Sequence, residues 1–266
     1  MLNGREDQAS GLRRLFRRAP PSVVAMYPCG RSPSRIAART LLELAHRAPR
    51  VLVLDEGRGE AGLLADFSAE PRGDLIHLID GATRVGTLVN ELAPDLAHLA
   101  VAGAAMALPL LDEDRREHLI TGLHEVQMHC RLMVVHGAAT ADSRPSPFEL
   151  ASPCHLLVIE ASASGVTDAL TKIRRLAGAG AGDLAVAVAG AQDRAEAVRL
   201  FRQLDALVRR RVGLPLRLIG ELGRDDLAAR LLEQSPPRRE REASSAFLRR
   251  LSAWTRGGDM LGRQQA

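Results

Sequence analysis

Apolar runs of five or six residues alternate with amphipathic stretches along most of this chain. Runs at 22–27, 50–55, 97–102, 131–136, 155–160, 184–189 and 216–221 read as strands. Val51-Leu52-Val53-Leu54 typifies them, apolar at successive positions as strands covered on both faces are. Stretches at 34–47, 60–67, 83–92, 112–129, 164–177, 193–211 and 225–233 carry helical spacing instead. Repeated strand–helix alternation predicts an α/β fold with a doubly wound, mostly parallel sheet of about seven or eight strands. Ligands of such sheets sit beyond the C-terminal ends of the strands, so function is sought there.

The two ends of the chain differ from this middle. Residues 5–18 predict a short helix with Leu12, Leu15 and Phe16 on one side, ringed by arginines and closed by Pro20-Pro21. Residues 235–242 form a polar, proline-containing linker. A further amphipathic helix is predicted over 243–256, with Phe247, Leu248, Leu251 and Trp254 at helical spacing and Arg249, Arg250 and Arg256 opposite. The boundaries are therefore 1–20, 21–235 and 236–266.

Composition narrows the function. With 266 residues and 46% apolar content, the chain can bury a large core. No apolar run is long enough for a membrane span, and the N-terminus lacks the apolar stretch of a secretory signal. The three cysteines, Cys29, Cys130 and Cys154, are widely spaced, form no CxxC pair and fit a reducing cytosol rather than a zinc site. Aromatic residues make up 3% of the chain, too few for a single-strand stacking platform, and the net charge of +4 is spread out. No direct nucleic-acid binding is expected. Lys172 is the chain's only lysine.

The strand ends carry the chemistry. After the first strand the chain reads Gly30-Arg31-Ser32-Pro33-Ser34-Arg35-Ile36, where a phosphate cradle would end in Lys and then Ser or Thr for magnesium. After the second it reads Asp55-Glu56-Gly57, and after the fourth His136-Gly137-Ala138-Ala139. Gly57-Arg58-Gly59-Glu60-Ala61-Gly62, with Asp80 downstream, literally matches a dinucleotide fingerprint. It follows the second strand rather than the first, and Pro71 and Gly73 break the helix it would need, so it is set aside as a decoy.

Asp7-Gln8-Ala9-Ser10-Gly11-Leu12-Arg13 matches the DQAxxLR motif of the MinD-like flagellar-number regulators, the FlhG/FleN group. Residues 22–235 resemble the MinD/ParA ATPases in the order and spacing of their elements, including Ile219-Gly220-Glu221-Leu222-Gly223-Arg224-Asp225 in place of IGxIPxD. The resemblance implies a P-loop NTPase fold in which four parts of the ATP site are altered together. The KGGxGKT-like loop, of kept length, has lost both lysines and its hydroxyl (Ile36). The second acid of Asp-x-Asp is Gly57. His136 replaces an aspartate. Ala189-Gly190-Ala191-Gln192 replaces an adenine-reading Asn, with Gln192 a weak substitute.

No catalytic residue, metal ligand or cofactor is therefore expected. Gly30, Arg31, Ser34, Arg35 and Asp55 remain as a degenerate nucleotide site, with ATP and magnesium bound only if that loop still works. The resemblance implies a cytoplasmic regulator of flagellar number that engages the flagellar SRP-type GTPase, FlhF, through Asp7, Gln8, Leu12, Arg13 and Leu15. Flagellar switch or transcription-regulator proteins are further candidate partners. Docking of the N-terminal helix on its own domain stands beside that reading. The C-terminal helix is either a weak peripheral contact at the inner face of the cell membrane or a helix docked on the domain. A weak ATPase using Arg35, and an accessory protein of another export system, are the alternatives. Lys172 is expected to lie away from any phosphate site.

Overall fold

Burial on both faces turns the apolar runs into a central sheet. The structure is a computed structural model, and it describes residues 21–59, 62–137, 144–233 and 246–256. Its strands are β1 (Ser22–Cys29), β2 (Val51–Asp55), β3 (Asn90–Ala93), β4 (Leu96–Ala100), β5 (Leu132–His136), β6 (Cys154–Glu160), β7 (Leu184–Ala189) and β8 (Leu216–Glu221). They form one eight-stranded sheet in the order β3-β4-β2-β5-β1-β6-β7-β8. All neighbours are parallel except β3 and β4. The helices are α1 (Pro33–Arg47), α2 (Val85–Leu88), α3 (Ala102–Ala107), α4 (Glu113–Gln127), α5 (Pro147–Ala151), α6 (Ala163–Gly178), α7 (Arg194–Val212), α8 (Leu227–Glu233) and α9 (Ala246–Arg256).

The period-2 alternation of β1 divides the core. Val23, Ala25, Tyr27 and Cys29 face a layer that includes Leu119 and Leu123 of α4, Ile173 of α6 and Phe247 of α9. Val24 and Met26 face Leu41 and Leu44 of α1 and Leu227 of α8. This α/β, mostly parallel arrangement is the one the alternation of runs predicts.

Three local expectations need correction. The stretch 83–92 is not one helix: α2 ends at Leu88, and Asn90–Ala93 becomes the antiparallel edge strand. Val89 is already extended at φ -80° and ψ 126°, and Pro94 bars a helical conformation only at Ala93, the last residue of the strand. Asp95, at φ 60°, then turns the chain directly into β4. Residues 64–67 make only a 3-10 turn where a longer helix is predicted over 60–67. The short helices α3 and α5 escape the periodicity. Ala-Gly-Ala-Ala-Met-Ala has no polar face to reveal a period, and α5 spans five residues.

The C-terminal helix α9 packs Phe247, Leu248 and Leu251 into the core. Phe247 meets Phe148 of α5 with ring centroids 6.3 Å apart. Of the two readings, docking is the one this contact describes, and those three residues present no apolar face to a membrane. Among the described residues no helix is long and apolar enough to cross one. Asp7, Gln8, Leu12, Arg13 and Leu15, like the linker residues 234–245 and the side chain of Trp254, lie outside the described residues.

Candidate functional site

The β1–α1 connection is shorter than the sequence suggests. The helix starts at Pro33, so only Gly30, Arg31 and Ser32 link strand to helix. Ser34, Arg35 and Ile36 belong to the first helical turn, and Arg35 is exposed. The turn is short because β1 runs on to Cys29, two residues past its expected end, while the helix begins at Pro33, whose fixed φ suits that position.

The amides of this turn already have partners from the chain itself. Arg31 N donates to Glu160 Oε2 at 3.0 Å, and Gly30 N donates to Asp168 Oδ2 at 3.2 Å. Glu160 ends β6 and also accepts from the Ser162 hydroxyl, while Asp168 lies on α6. Gly165 lets that helix press in: a Cβ there would stand 2.3 Å from the Glu160 carbonyl oxygen. Gly30 is equally constrained, at φ 154° with Glu160 Oε2 2.6 Å from where a Cβ would sit. Lys172, one turn beyond Asp168, donates from Nζ to the Pro28 carbonyl at 2.5 Å. The lone lysine therefore grips the end of β1, contrary to the expectation that it stands apart. Cys29 beside it is sealed in, and burial pushes its thiol up to about 12.

Asp55, the retained acid, sits inside a polar chain that crosses four adjacent strands. Its Oδ1 accepts from His136 Nδ1 at 2.8 Å and Gly57 N at 2.8 Å. Its Oδ2 accepts from Leu63 N at 2.9 Å and His98 Nε2 at 3.2 Å. Asn90 in turn donates to His98 Nδ1 at 3.4 Å. Burial alone would raise the carboxyl pKa, but the bonds from His136 and His98 outweigh it and hold the group below the usual carboxylate range. Gly57 and Leu63, on either side of the glycine-rich stretch after β2, thus both bond this carboxylate through their backbone N–H groups. His136 is a structural donor here.

A second acidic group lies beside it. Ser146 caps α5 in a capping box: its N–H donates to Glu149 Oε2 at 2.7 Å, and its hydroxyl accepts from Glu149 N. The same hydroxyl donates to Glu56 Oε1. Glu149 is buried, and its Oε1 has no hydrogen-bond partner among the described residues. Gly137 makes room for it, since a Cβ there would be 2.2 Å away. Burial first, then the charge of Glu149, pushes Glu56 up to about 8; burial likewise raises Glu149. Two acids that feel each other's charge cannot both ionise easily, so Glu56 keeps its proton to a higher pH than an exposed carboxyl. Tyr27 completes the wall, its hydroxyl hydrogen-bonded to His155 Nδ1 at 3.1 Å, and burial lowers that imidazole to about 4, so it is neutral.

The far wall is closed in the same way. Gln192 N donates to Glu196 at 2.6 Å, and Gln192 O accepts from Arg224 Nη2 at 2.7 Å. Arg224 also pairs with Glu221. The position expected to read adenine is engaged from both sides by its own backbone atoms. Among the described residues, no group of three or more His, Cys, Asp or Glu side chains is placed to hold a metal ion.

MinD, a cell division protein of Aquifex aeolicus, is similar over 88% of this chain and 95% of its own, at 15% identity and TM-score 0.51. The Aquifex MinC:MinD complex gives 15% identity, 87% of this chain, 94% of that chain and TM-score 0.51. A ParA family ATPase from Chlorobium tepidum aligns over 89% of this chain and 99% of its own, at 15% identity and TM-score 0.49. No protein-family model matches the sequence, and no curated protein matches it. The fold is the MinD/ParA P-loop NTPase fold. Identity this low speaks for the fold alone.

That fold implies magnesium-ATP, and the residues at this edge do not fit it. A triphosphate needs free amides, a cation and a metal-bound hydroxyl. Here two carboxylates, Glu160 and Asp168, take the turn's amides, and their charge opposes an incoming phosphate. Pro33 brings no N–H, Ile36 brings no hydroxyl, and Lys172 points its ammonium at Pro28. Gly30, Arg31 and Asp55 are gathered at the edge, but each is committed to an internal bond. Glu160, Glu149 and Lys172 were missed from sequence. Only Glu149 had a local signal, the Ser-x-x-Glu capping box.

Proposed function

We propose that this chain is a MinD-like regulator of flagellar number or placement that works by binding partners, with ATP hydrolysis lost. One observation carries the reading: the amides of Gly30 and Arg31 are held by the chain's own carboxylates, Asp168 and Glu160. Carboxylates in those positions do the hydrogen bonding that phosphate oxygens would otherwise do, and they make the fold independent of nucleotide. A scaffold held closed this way serves to present surfaces.

The surface in question is the segment Asp7–Arg13 with Leu15, whose DQAxxLR pattern points to FlhF, the flagellar SRP-type GTPase. Leu12 and Leu15 would anchor in a groove while Gln8 and Arg13 read polar groups, the usual division of labour for a short helix docked on a partner. The helix α9, docked through Phe247, Leu248 and Leu251, supports a role as a structural brace.

Two measurements test the reading. Calorimetry of the full chain with magnesium-ATP is expected to give no heat of binding; micromolar affinity would refute the nucleotide-independent mode. Capture of purified FlhF by the full chain, and its loss on removing residues 1–20, is the second expected result. Equal capture without those residues would remove the flagellar assignment.

A further inference from the structure

The sheet carries a second concave site at the end of its strands opposite the β1–α1 turn. A cavity of about 470 Å³ opens at the N-terminal ends of β2 and β4, between α2 and the last turn of α4. That volume is within the range of small-molecule sites. Its apolar lining is the half-buried Val89 and Ala97, backed by the buried Val51, Val85, Leu96 and Val126. Its mouth is acidic: Glu91, Asp95 and Glu125 stand against one guanidinium, Arg50, with His129 at the margin.

The mouth is held in shape by backbone bonds between three segments. Arg50 N donates to Asp95 Oδ1 at 3.0 Å, and Val51 N donates to the Asp95 carbonyl at 2.8 Å. Arg131 N donates to the Arg50 carbonyl at 2.9 Å. Together they tie the entries to β2, β4 and β5, so the cavity exists before anything binds. Asp95 is thereby partly used, whereas Glu91 and Glu125 form no ion pair among the described residues and are exposed.

An apolar floor rimmed by uncommitted carboxylates selects one kind of occupant. We propose that this cavity binds a small apolar molecule carrying a cationic amine, its hydrocarbon or aromatic part against Val89, Ala97 and the Gly86 backbone and its ammonium at Glu91 and Glu125. Burial of the apolar part supplies the affinity, and the rim charges supply the choice of sign. The site is independent of whether the β1–α1 turn binds nucleotide.

The test compares tryptamine with indole-3-acetate, the same ring with opposite charge, by titration calorimetry on the full chain. Tryptamine is expected to bind, with indole-3-acetate at least about tenfold weaker. Glu91→Gln with Glu125→Gln, both at exposed positions, is expected to weaken tryptamine about tenfold, as the loss of two rim charges would, and to narrow the gap between the ligands. Gly86→Trp places an indole in the cavity from a position where a Cβ meets no atom within 4 Å, and it should abolish binding while the thermal midpoint is retained. Absence of tryptamine binding at millimolar concentration, equal binding of the two ligands, or binding unchanged in Gly86→Trp would overturn the proposal.

Discussion

Replacing Glu56 by Gln probes the electrostatics of the closed edge directly. In the folded chain, burial and then the charge of Glu149 push Glu56 from 4.5 up to about 8, against the opposing bond from the Ser146 hydroxyl. Between those two values the folded chain holds a proton that the unfolded chain has released. Unfolding therefore releases a proton, and stability falls as pH rises from about 4.5 to about 8. At about 1.4 kcal/mol per pH unit, the ceiling of this effect is about 5 kcal/mol. Proton sharing with Glu149 and water at the half-buried Glu56 reduce it to about 2–3 kcal/mol by pH 8. Urea unfolding at several pH values from 5 to 8 measures it. The wild-type chain should lose stability across the window. Glu56→Gln should give a flatter profile and be about 2 kcal/mol more stable than wild type at pH 8. Asp55 acts in the other sense: its folded pKa is depressed, so the stability it contributes is present above about pH 4 and lost in acid below that, outside this window. Parallel profiles for wild type and Glu56→Gln, or a variant weaker at pH 8, would refute the argument.

Three further substitutions separate the parts of the structure. Gly30→Ala should cost about 2–3 kcal/mol in chemical denaturation, because the added Cβ meets Glu160 Oε2 at 2.6 Å and Glu160 Cβ at 2.8 Å in a left-handed backbone. Asp55→Asn should cost about 3 kcal/mol, since an amide nitrogen cannot accept the bonds that Asp55 takes on both oxygens from His136, His98, Gly57 and Leu63. A thermal midpoint lowered by no more than a degree or so would argue against that network. Phe247→Ala should cost about 3–4 kcal/mol and expose α9 to limited proteolysis, as the ring is buried against Phe148.

The sheet was legible because parallel strands buried on both faces leave unmistakable apolar runs, as at Val51–Leu54 and Leu184–Ala189. The edge strand was not, because Val89-Asn90-Glu91-Leu92-Ala93 satisfies a helical period as well as a strand period and only Pro94 argues against the helix. At the site, the absence of a phosphate-loop lysine and hydroxyl was readable position by position. What replaced them was not. Glu160 meets Arg31, Glu56 meets Glu149 and Lys172 meets Pro28 across long stretches of sequence, and no motif spacing records such pairs. The short turn was only partly legible: the helix begins at Pro33, one residue before its expected start, but nothing in the sequence marks that β1 runs two residues past Tyr27 to Cys29.

Lys172 gives the chain an unusual chemical property. Amine-directed reagents acting on a protein normally average over many ammonium groups, but here a single side chain offers one. That ammonium is half-buried and spends its hydrogen bond on the carbonyl of Pro28, at the start of the turn that decides whether phosphate can enter. Acylation of Lys172 requires that bond to open. Its rate, followed by mass spectrometry of the peptide that contains Lys172 so that the α-amino group is counted apart, therefore reports the opening of the β1–α1 turn, and partner binding or nucleotide addition can be read as a change in the reactivity of one side chain.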